Sequence, residues 1–141
     1  MEVMTKRRGV LAVQLPMFWD MPIGKSILRI AERSEWASST SDIKNLFTIH
    51  SYSHYYDILS GLFRSVDMWE THYMHVMESH EAILEMIRST GLKPYLEALP
   101  SDDDRKEFEH RVLQHIRTDY PLQNNGKVLF PFKRLFFVAQ N

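Results

Sequence analysis

The sequence predicts an α/β fold in a single domain over residues 1–141, with about three strands separated by helices. Three observations predict it. An almost unbroken apolar run, Val10 to Leu15, is closed by a proline. Two further segments, Val66 to Val76 and Lys127 to Ala139, read as strands. Between them the apolar residues recur every three or four positions, behind residues suited to start a helix. A chain of 141 residues is long enough to bury a core of its own.

Gly9 to Leu15 is the first strand. Val10, Leu11, Ala12, Val13 and Leu15 are nearly continuous, as in a strand covered on both faces. Pro16 ends it, and Met17 to Met21 is a loop carrying Phe18 and Trp19. Pro22 suits the first position of a helix, with Ile23, Ile27, Ile30 and Ala31 as its apolar stripe. The Ser/Thr-rich stretch from Ala37 to Asn45 reads as a loop or mobile lid. Ser53 is placed to cap a short helix with Tyr56, Leu59 and Leu62 on one face.

In the strand from Val66 to Val76 one alternation set is Val66, Met68, Glu70, His72, Met74 and Val76. The other is Asp67, Trp69, Thr71, Tyr73 and His75, so neither face is plain core. Ser79 caps the next helix, with Ala82, Ile83, Met86 and Ile87 inward, Gly91 as its stop and Pro94 just beyond. Ser101 followed by Asp102, Asp103 and Asp104 starts another helix, because carboxylates favour the positive end of the helix dipole. Its stripe is Phe108, Val112, Leu113 and Ile116, and Tyr120-Pro121 ends it. Asn124-Asn125-Gly126 is turn chemistry. The last strand, Lys127 to Ala139, contains Pro131; proline donates no ladder bond, so a bulge or break is expected there.

Composition narrows the function. Seventeen basic residues against eighteen acidic ones, a net charge of -1, give no electrostatic case for nucleic acid. Lys6-Arg7-Arg8 reads as a solvated N-terminal arm. The chain has no cysteine, hence no disulfide framework, thiolate metal site or Cys nucleophile, which fits a cytoplasmic protein. No apolar stretch is long enough to span a bilayer. Val10 to Leu15 is a buried strand rather than a signal peptide.

No metal site is expected from the seven histidines. His72 and His75 point to opposite faces of a strand. His110 and His115 are not at a same-face helical spacing. His50 and His54 share a face but lack the acidic residue of a hydrolase motif. There is no Gly-x-Ser-x-Gly elbow and no Gly-rich phosphate or dinucleotide loop, the glycines at 9, 24, 61, 91 and 126 being scattered. Phe108, Phe136 and Met86 are assigned to the core. Trp19, Tyr55, Trp69 and Tyr73 are less easily placed there and are candidates for lining a ligand pocket. Lys133-Arg134 interrupts an apolar strand. It is either an edge or bulge where charges reach solvent, or a cationic anchor for a carboxylate, which Arg grips through two parallel hydrogen bonds.

Long runs of the sequence resemble the second half of a trans-aconitate methyltransferase, a branch of the Rossmann-like enzymes that use S-adenosylmethionine. Gly9-Val10-Leu11-Ala12-Val13-Gln14 looks like strand five of that sheet. Tyr55-Tyr56-Asp57-Ile58-Leu59-Ser60 looks like the helix before strand six, and Val66-Asp67-Met68-Trp69 with Tyr73 and His75 like strand six. Ser79-His80, Thr90-Gly91-Leu92 and Tyr120-Pro121-Leu122-Gln123 with Asn125-Gly126 look like a helical insertion and its exit. Arg134-Leu135-Phe136 with Val138-Ala139 looks like strand seven.

The resemblance implies strands in the order five, seven, six, the last of them antiparallel, under a helical substrate cap. It implies methyl transfer from S-adenosylmethionine to a carboxylate of a small polycarboxylate, giving a monomethyl ester. Arg134, supported by Trp19 and His54 or Tyr55, is then expected to hold the substrate's other carboxylates, with Trp69 and Tyr73 lining the pocket. The family's acidic-Gly-x-Gly-x-Gly loop is absent, and so is the acidic residue that holds the ribose. The cofactor half is therefore expected to be encoded separately or lost by truncation, so the chain is expected to be inactive alone and not to bind the cofactor tightly. The alternative is a non-catalytic remnant that binds small acids or a self-associating interaction protein. Phe63 stands where the family has a glycine ending the helix, and Ser38 to Ile49 matches poorly. Strand five would lack its neighbour, so self-association through that edge is expected.

Overall fold

The computed structural model describes residues 9–33, 35–46 and 48–141. The basic run at Lys6 to Arg8 lies outside them. Strand β1, Val10–Pro16, leads through a 3-10 turn at Phe18–Asp20 into helix α1, Pro22–Ala31. Helices α2, Ala37–Thr40, α3, Ile43–Leu46, and α4, Tyr52–Leu62, precede strand β2, Ser65–Met77. Helices α5, His80–Arg88, α6, Lys93–Ala98, and α7, Asp102–Asp119, then lead to strand β3, Val128–Gln140. The three strands form one antiparallel sheet in the order β1-β3-β2, as the resemblance implies.

The register explains both strand prolines. Met17 N–H donates to the Lys133 carbonyl at 2.9 Å, and Asn141 N–H to the Gly9 carbonyl at 3.3 Å. Backbone groups alternate sides along a strand, so odd-numbered residues of β3 turn theirs toward β1. Leu11, Val13 and Leu15 sit opposite Ala139, Phe137 and Leu135 and share those bonds. Val10, Ala12, Gln14 and Pro16 therefore turn their backbone groups outward, where a missing N–H costs no ladder bond. Pro131 is odd-numbered too, and β1 has already ended at the Pro16–Arg134 pair. Its nitrogen faces an unoccupied side, so β3 runs unbroken past it, paired with Met74. The expected bulge does not form.

Side chains split between two sheet faces. On one, Val128 and Phe130 of β3 are fully buried under a cap in which α1, α5, α6 and α7 contribute Ile23, Ile27, Ile83, Ile87, Tyr95, Phe108, Val112 and Ile116. On the other, Leu135, Phe137 and Ala139 pack against Met17, Leu59 and Phe63. The stripe of α4 is thus Tyr55, Leu59 and Phe63. Tyr56 and Leu62 are exposed, and the cap of this helix is Ser51, which accepts from His54 N–H, rather than Ser53. Phe63 takes the family's glycine position as a core residue with an ordinary extended backbone.

The other caps fall where the sequence places them, Ser79 accepting from Ala82 N–H and Ser101 from Asp104 N–H at 3.1 Å each. Gly91 is not a left-handed cap. Among the described residues only Gly126 has a positive φ, +80°. A Cβ on Gly91 would lie 2.7 Å from the Phe18 ring, so glycine there admits that ring. Pro94 opens α6, a helix the sequence reading did not anticipate.

β1 is not covered on both faces, since Val10, Ala12 and Gln14 are exposed and only Leu11, Val13 and Leu15 are half-buried. The polar stretch read as a mobile lid forms α2 and α3. Thr40 is buried, its hydroxyl shared between the Ala31 and Trp36 carbonyls at 3.0 Å each. Trp36, also buried, donates from Nε1 to Asp104 at 3.0 Å and lies under the Arg111 guanidinium, which pairs with Glu35 and Glu107. These contacts fasten the segment to α7. No helix among the described residues is long and apolar enough to cross a membrane.

Candidate functional site

The cap covers the sheet face over the first residues of β3 and leaves it bare over the rest. The bare part carries Arg134, Phe136 and Val138 of β3, flanked by Ala12 and Gln14 of β1 and by Asp67, Trp69, Thr71 and Tyr73 of β2. Trp69 lies flat on Phe136, with centroids 5.4 Å apart and planes within 4°. Both rings remain open to solvent, so Phe136 is a platform rather than the core residue the sequence suggested.

Arg134 is the charged centre of this face. Its guanidinium carbon lies 4.9 Å from the Phe132 ring centroid and 5.9 Å from that of Tyr73. With the Gln14 amide oxygen turned toward it, Gln14 accepts from Nε at 3.2 Å and from Nη1 at 2.9 Å. The ring faces attract the cation and the amide fixes its plane. Among the described residues no carboxylate pairs with Arg134. Its neighbour Lys133 projects to the opposite face and pairs with Glu70 at 3.2 Å and Asp20 at 3.5 Å. Partial burial disfavours the Lys133 charge, but those two carboxylates outweigh it and raise the pKa. Of the two adjacent cations, one is neutralised and the other is held without an anion.

The other candidates divide between the faces. Trp69 and Tyr73 stand with Arg134 on the bare part. Trp19 packs edge-on against Phe18 at 5.0 Å and near Tyr95 at 6.0 Å, within the cap. It adjoins the site through Phe18, whose ring is 6.4 Å from Phe132. His54 and Tyr55 belong to α4 on the far face. The His54 ring lies against that of His50, with centroids 4.2 Å apart and planes tilted by 34°. Tyr55 lies on Phe137 at 5.8 Å, and its hydroxyl accepts from His50 N–H at 3.1 Å. The sheet separates these two from Arg134. Gln14 and Phe132 join the cluster unanticipated. Gln14 is the one polar residue in the β1 run, which was the available signal.

The described residues contain no group of three or more His, Cys, Asp or Glu placed to hold a metal ion. Gly24 and Gly91 are both filled by neighbours, Gly24 by the backbone of Phe18 and Trp19 and Gly91 by the Phe18 ring. Neither forms a cradle for a nucleotide. The arrangement offers a preoriented guanidinium on an aromatic floor, the chemistry of carboxylate capture.

No protein-family model matches the chain. It is similar to curated trans-aconitate 2-methyltransferases. It is 39% identical over 135 residues to that of Escherichia coli O157:H7, a match covering 94% of this chain and 50% of the relative. The enzyme of Escherichia coli strain 55989 is 40% identical over 135 residues, with the same shares covered. That of Escherichia fergusonii is 39% identical over 135 residues. The chain spans about half the length of the curated relatives it matches.

Proposed function

From a chain homologous to the C-terminal half of the trans-aconitate methyltransferases, we propose the substrate-recognition half of an S-adenosylmethionine-dependent carboxyl O-methyltransferase acting on a small polycarboxylate. The observation that carries this reading is Arg134, a guanidinium held by Gln14, Phe132 and Tyr73 with no carboxylate partner among the described residues. A carboxylate is ionised at neutral pH, so its oxygen needs no general base. The work left to the protein is to fix one carboxylate while another is aligned with the methyl donor. Arg134 suits the fixing, and Trp69 and Phe136 give the carbon chain an apolar floor. The donor itself supplies an electrophilic methyl group. The glycines described above do not fit it, so we assign its binding to a cofactor half outside these residues.

Two experiments test this. Calorimetric titration of the isolated chain with S-adenosylmethionine is expected to show no tight binding, and micromolar affinity of a monomer would overturn the division of labour. Activity reconstituted with a cofactor half is expected to fall in Arg134→Ala, chiefly through a raised substrate KM. Unchanged kcat and KM would remove Arg134 from the site.

A second reading has its own support. β1 is an apolar edge whose outward backbone groups, on Val10, Ala12 and Gln14, have no partner strand among the described residues. Such an edge favours pairing with a second copy, antiparallel in the simplest closed form. Light scattering at low micromolar concentration is expected to report a dimer, which Ala12→Pro dissociates. A wild-type monomer would leave the edge to the cofactor half.

A further inference from the structure

β2 is the other edge of the sheet, and it is the longer one. Even-numbered residues of β3 turn their backbone groups toward β2, where they meet its odd-numbered residues. Val66, Met68, Glu70, His72, Met74 and Val76 therefore turn theirs outward, with no partner strand among the described residues. The devices that blunt a strand edge are missing here. Ser65–Met77 contains no proline, lysine or glycine, and its register with β3 runs without a bulge. Trp69, Tyr73, Met74 and Val76 are between 43% and 62% exposed.

About Thr71 this strand is a chemical palindrome. Two copies laid antiparallel with Thr71 opposite Thr71 set Glu70 against His72, Asp67 against His75 and Trp69 against Tyr73, each pair occurring twice. Met68 then faces Met74, and Val66 faces Val76. Each carboxylate meets an imidazole N–H donor, each indole meets a phenol ring, and the threonines meet each other. Such pairs are the cross-strand combinations that stabilise antiparallel strands. The even-numbered pairs exchange the backbone bonds. The threonine, aromatic and Asp67–His75 pairs fall at the closer positions between those bonds. Sliding one copy by two residues loses the match, since it centres the contact on Glu70 against Glu70 or on His72 against His72.

The surface beside the strand fits the same register. Next to Met68 and Glu70 lies an open groove of about 410 Å³, walled by the exposed Tyr52 and Tyr56 of α4. It stands where a second copy brings its own Met74 and His72. Glu70 Oε1 pairs with Lys133 at 3.2 Å, which leaves the other oxygen for the arriving imidazole.

We propose that β2 pairs antiparallel with β2 of a second copy about a two-fold axis at Thr71, joining the two sheets into one. The partner's Tyr73 then stands beside Trp69, so each copy contributes an aromatic residue to the other's Arg134 platform. The pairing does not depend on the methyl-transfer reading, and it is separate from the β1 contact.

The tests are made in the Ala12→Pro chain, in which pairing through β1 is blocked. Sedimentation equilibrium from the micromolar to the millimolar range is expected to show a monomer–dimer equilibrium. His75→Asp sets carboxylate against carboxylate at two symmetric positions and is expected to weaken the dimer about tenfold. Asp67→His together with His75→Asp rebuilds each pair in reverse and is expected to restore the parent's association. The chain has no cysteine, so a single introduced one reports the register. Thr71→Cys brings two Cα atoms to about 4.5 Å at the centre, within disulfide reach, and is expected to cross-link under mild oxidation. Met74→Cys, opposite Met68, is expected to stay uncross-linked at the same concentration. A monomer at millimolar concentration, a double exchange that fails to restore association, or cross-linking no faster at position 71 than at 74 would overturn the pairing.

Discussion

The two ends of β3 solve opposite halves of the same problem. Residues 128–132 have a strand neighbour on one side only, yet Val128 and Phe130 are completely buried under the cap. Residues 134–140 are paired on both sides, yet Phe136 and Val138 on the same face are only half covered. On this face, side chains stay partly open where the strand is paired on both sides and are buried where it is paired on one; on the opposite face Leu135, Phe137 and Ala139 are buried. Along this face, buried core and exposed surface therefore lie at different ends of one strand.

Truncating the same residue type at each end separates the two environments. Phe130→Ala is expected to cost about 3–5 kcal/mol, because the rigid cap leaves a cavity. Phe136→Ala, half open to solvent, is expected to cost about 1 kcal/mol or less. Urea unfolding midpoints measure both, and equal losses would show that something covers the bare end.

Prolines test the hydrogen-bonded end. Val13→Pro deletes an N–H that bonds within the ladder to Phe137, and a cost of about 1–3 kcal/mol is expected. Ala12→Pro deletes an outward N–H and is expected to leave the melting temperature of the monomer nearly unchanged. If the two variants melted together, the deduced direction of the β1 backbone groups would be wrong.

At the cap end, Tyr120 accepts from the buried Ile23 N–H at 3.3 Å while its ring meets Phe130 edge-on at 5.1 Å. Tyr120→Phe keeps the ring and orphans the amide, for a loss of about 1–2 kcal/mol. Amide hydrogen exchange at Ile23 is expected to accelerate while that of Phe137 does not change.

The smallest effect is a pH dependence confined to the cap. The Asp104 pKa is lowered first by its hydrogen bond with Ser101 and next by that with Trp36. A lowered folded-state pKa contributes stability above the unfolded value, and this is lost as pH falls through the folded one. Melting temperatures of Asp104→Asn and wild type are therefore expected to differ most near neutrality and to converge in acid. A constant difference down to strong acid would remove ionised Asp104 from the account.

Most of the fold was legible because the signals were local. Pro22, Ser79, Ser101 and Gly126 announced helix starts and a turn through chemistry that does not depend on distant residues. Errors arose where a long-range partner decides. Pro131 reads as a break until β1 is seen to stop short of it. Trp36 and Thr40 bury a segment whose serines look like a loop. Gly91 reads as a stop until the Phe18 ring is found against it. For the site, residue types pointed to Arg134, Trp69 and Tyr73. That Gln14 holds Arg134, and that the sheet lies between Arg134 and the pair His54 and Tyr55, follows from register and handedness, which one sequence does not display.

The outward side of β1 has a further consequence. Pro16 closes it at one end, leaving three residues, Val10, Ala12 and Gln14, to offer backbone bonds to a newcomer. Each such bond is worth about 0.5–1.5 kcal/mol net, against about 4–15 kcal/mol for bringing two bodies together. So short an edge sets a partner's register, and the β1 dimer expected above needs further contact to hold it. Retention requires the same visitor to lie across Phe136 and Trp69 as well, which makes the edge and the platform a two-key lock.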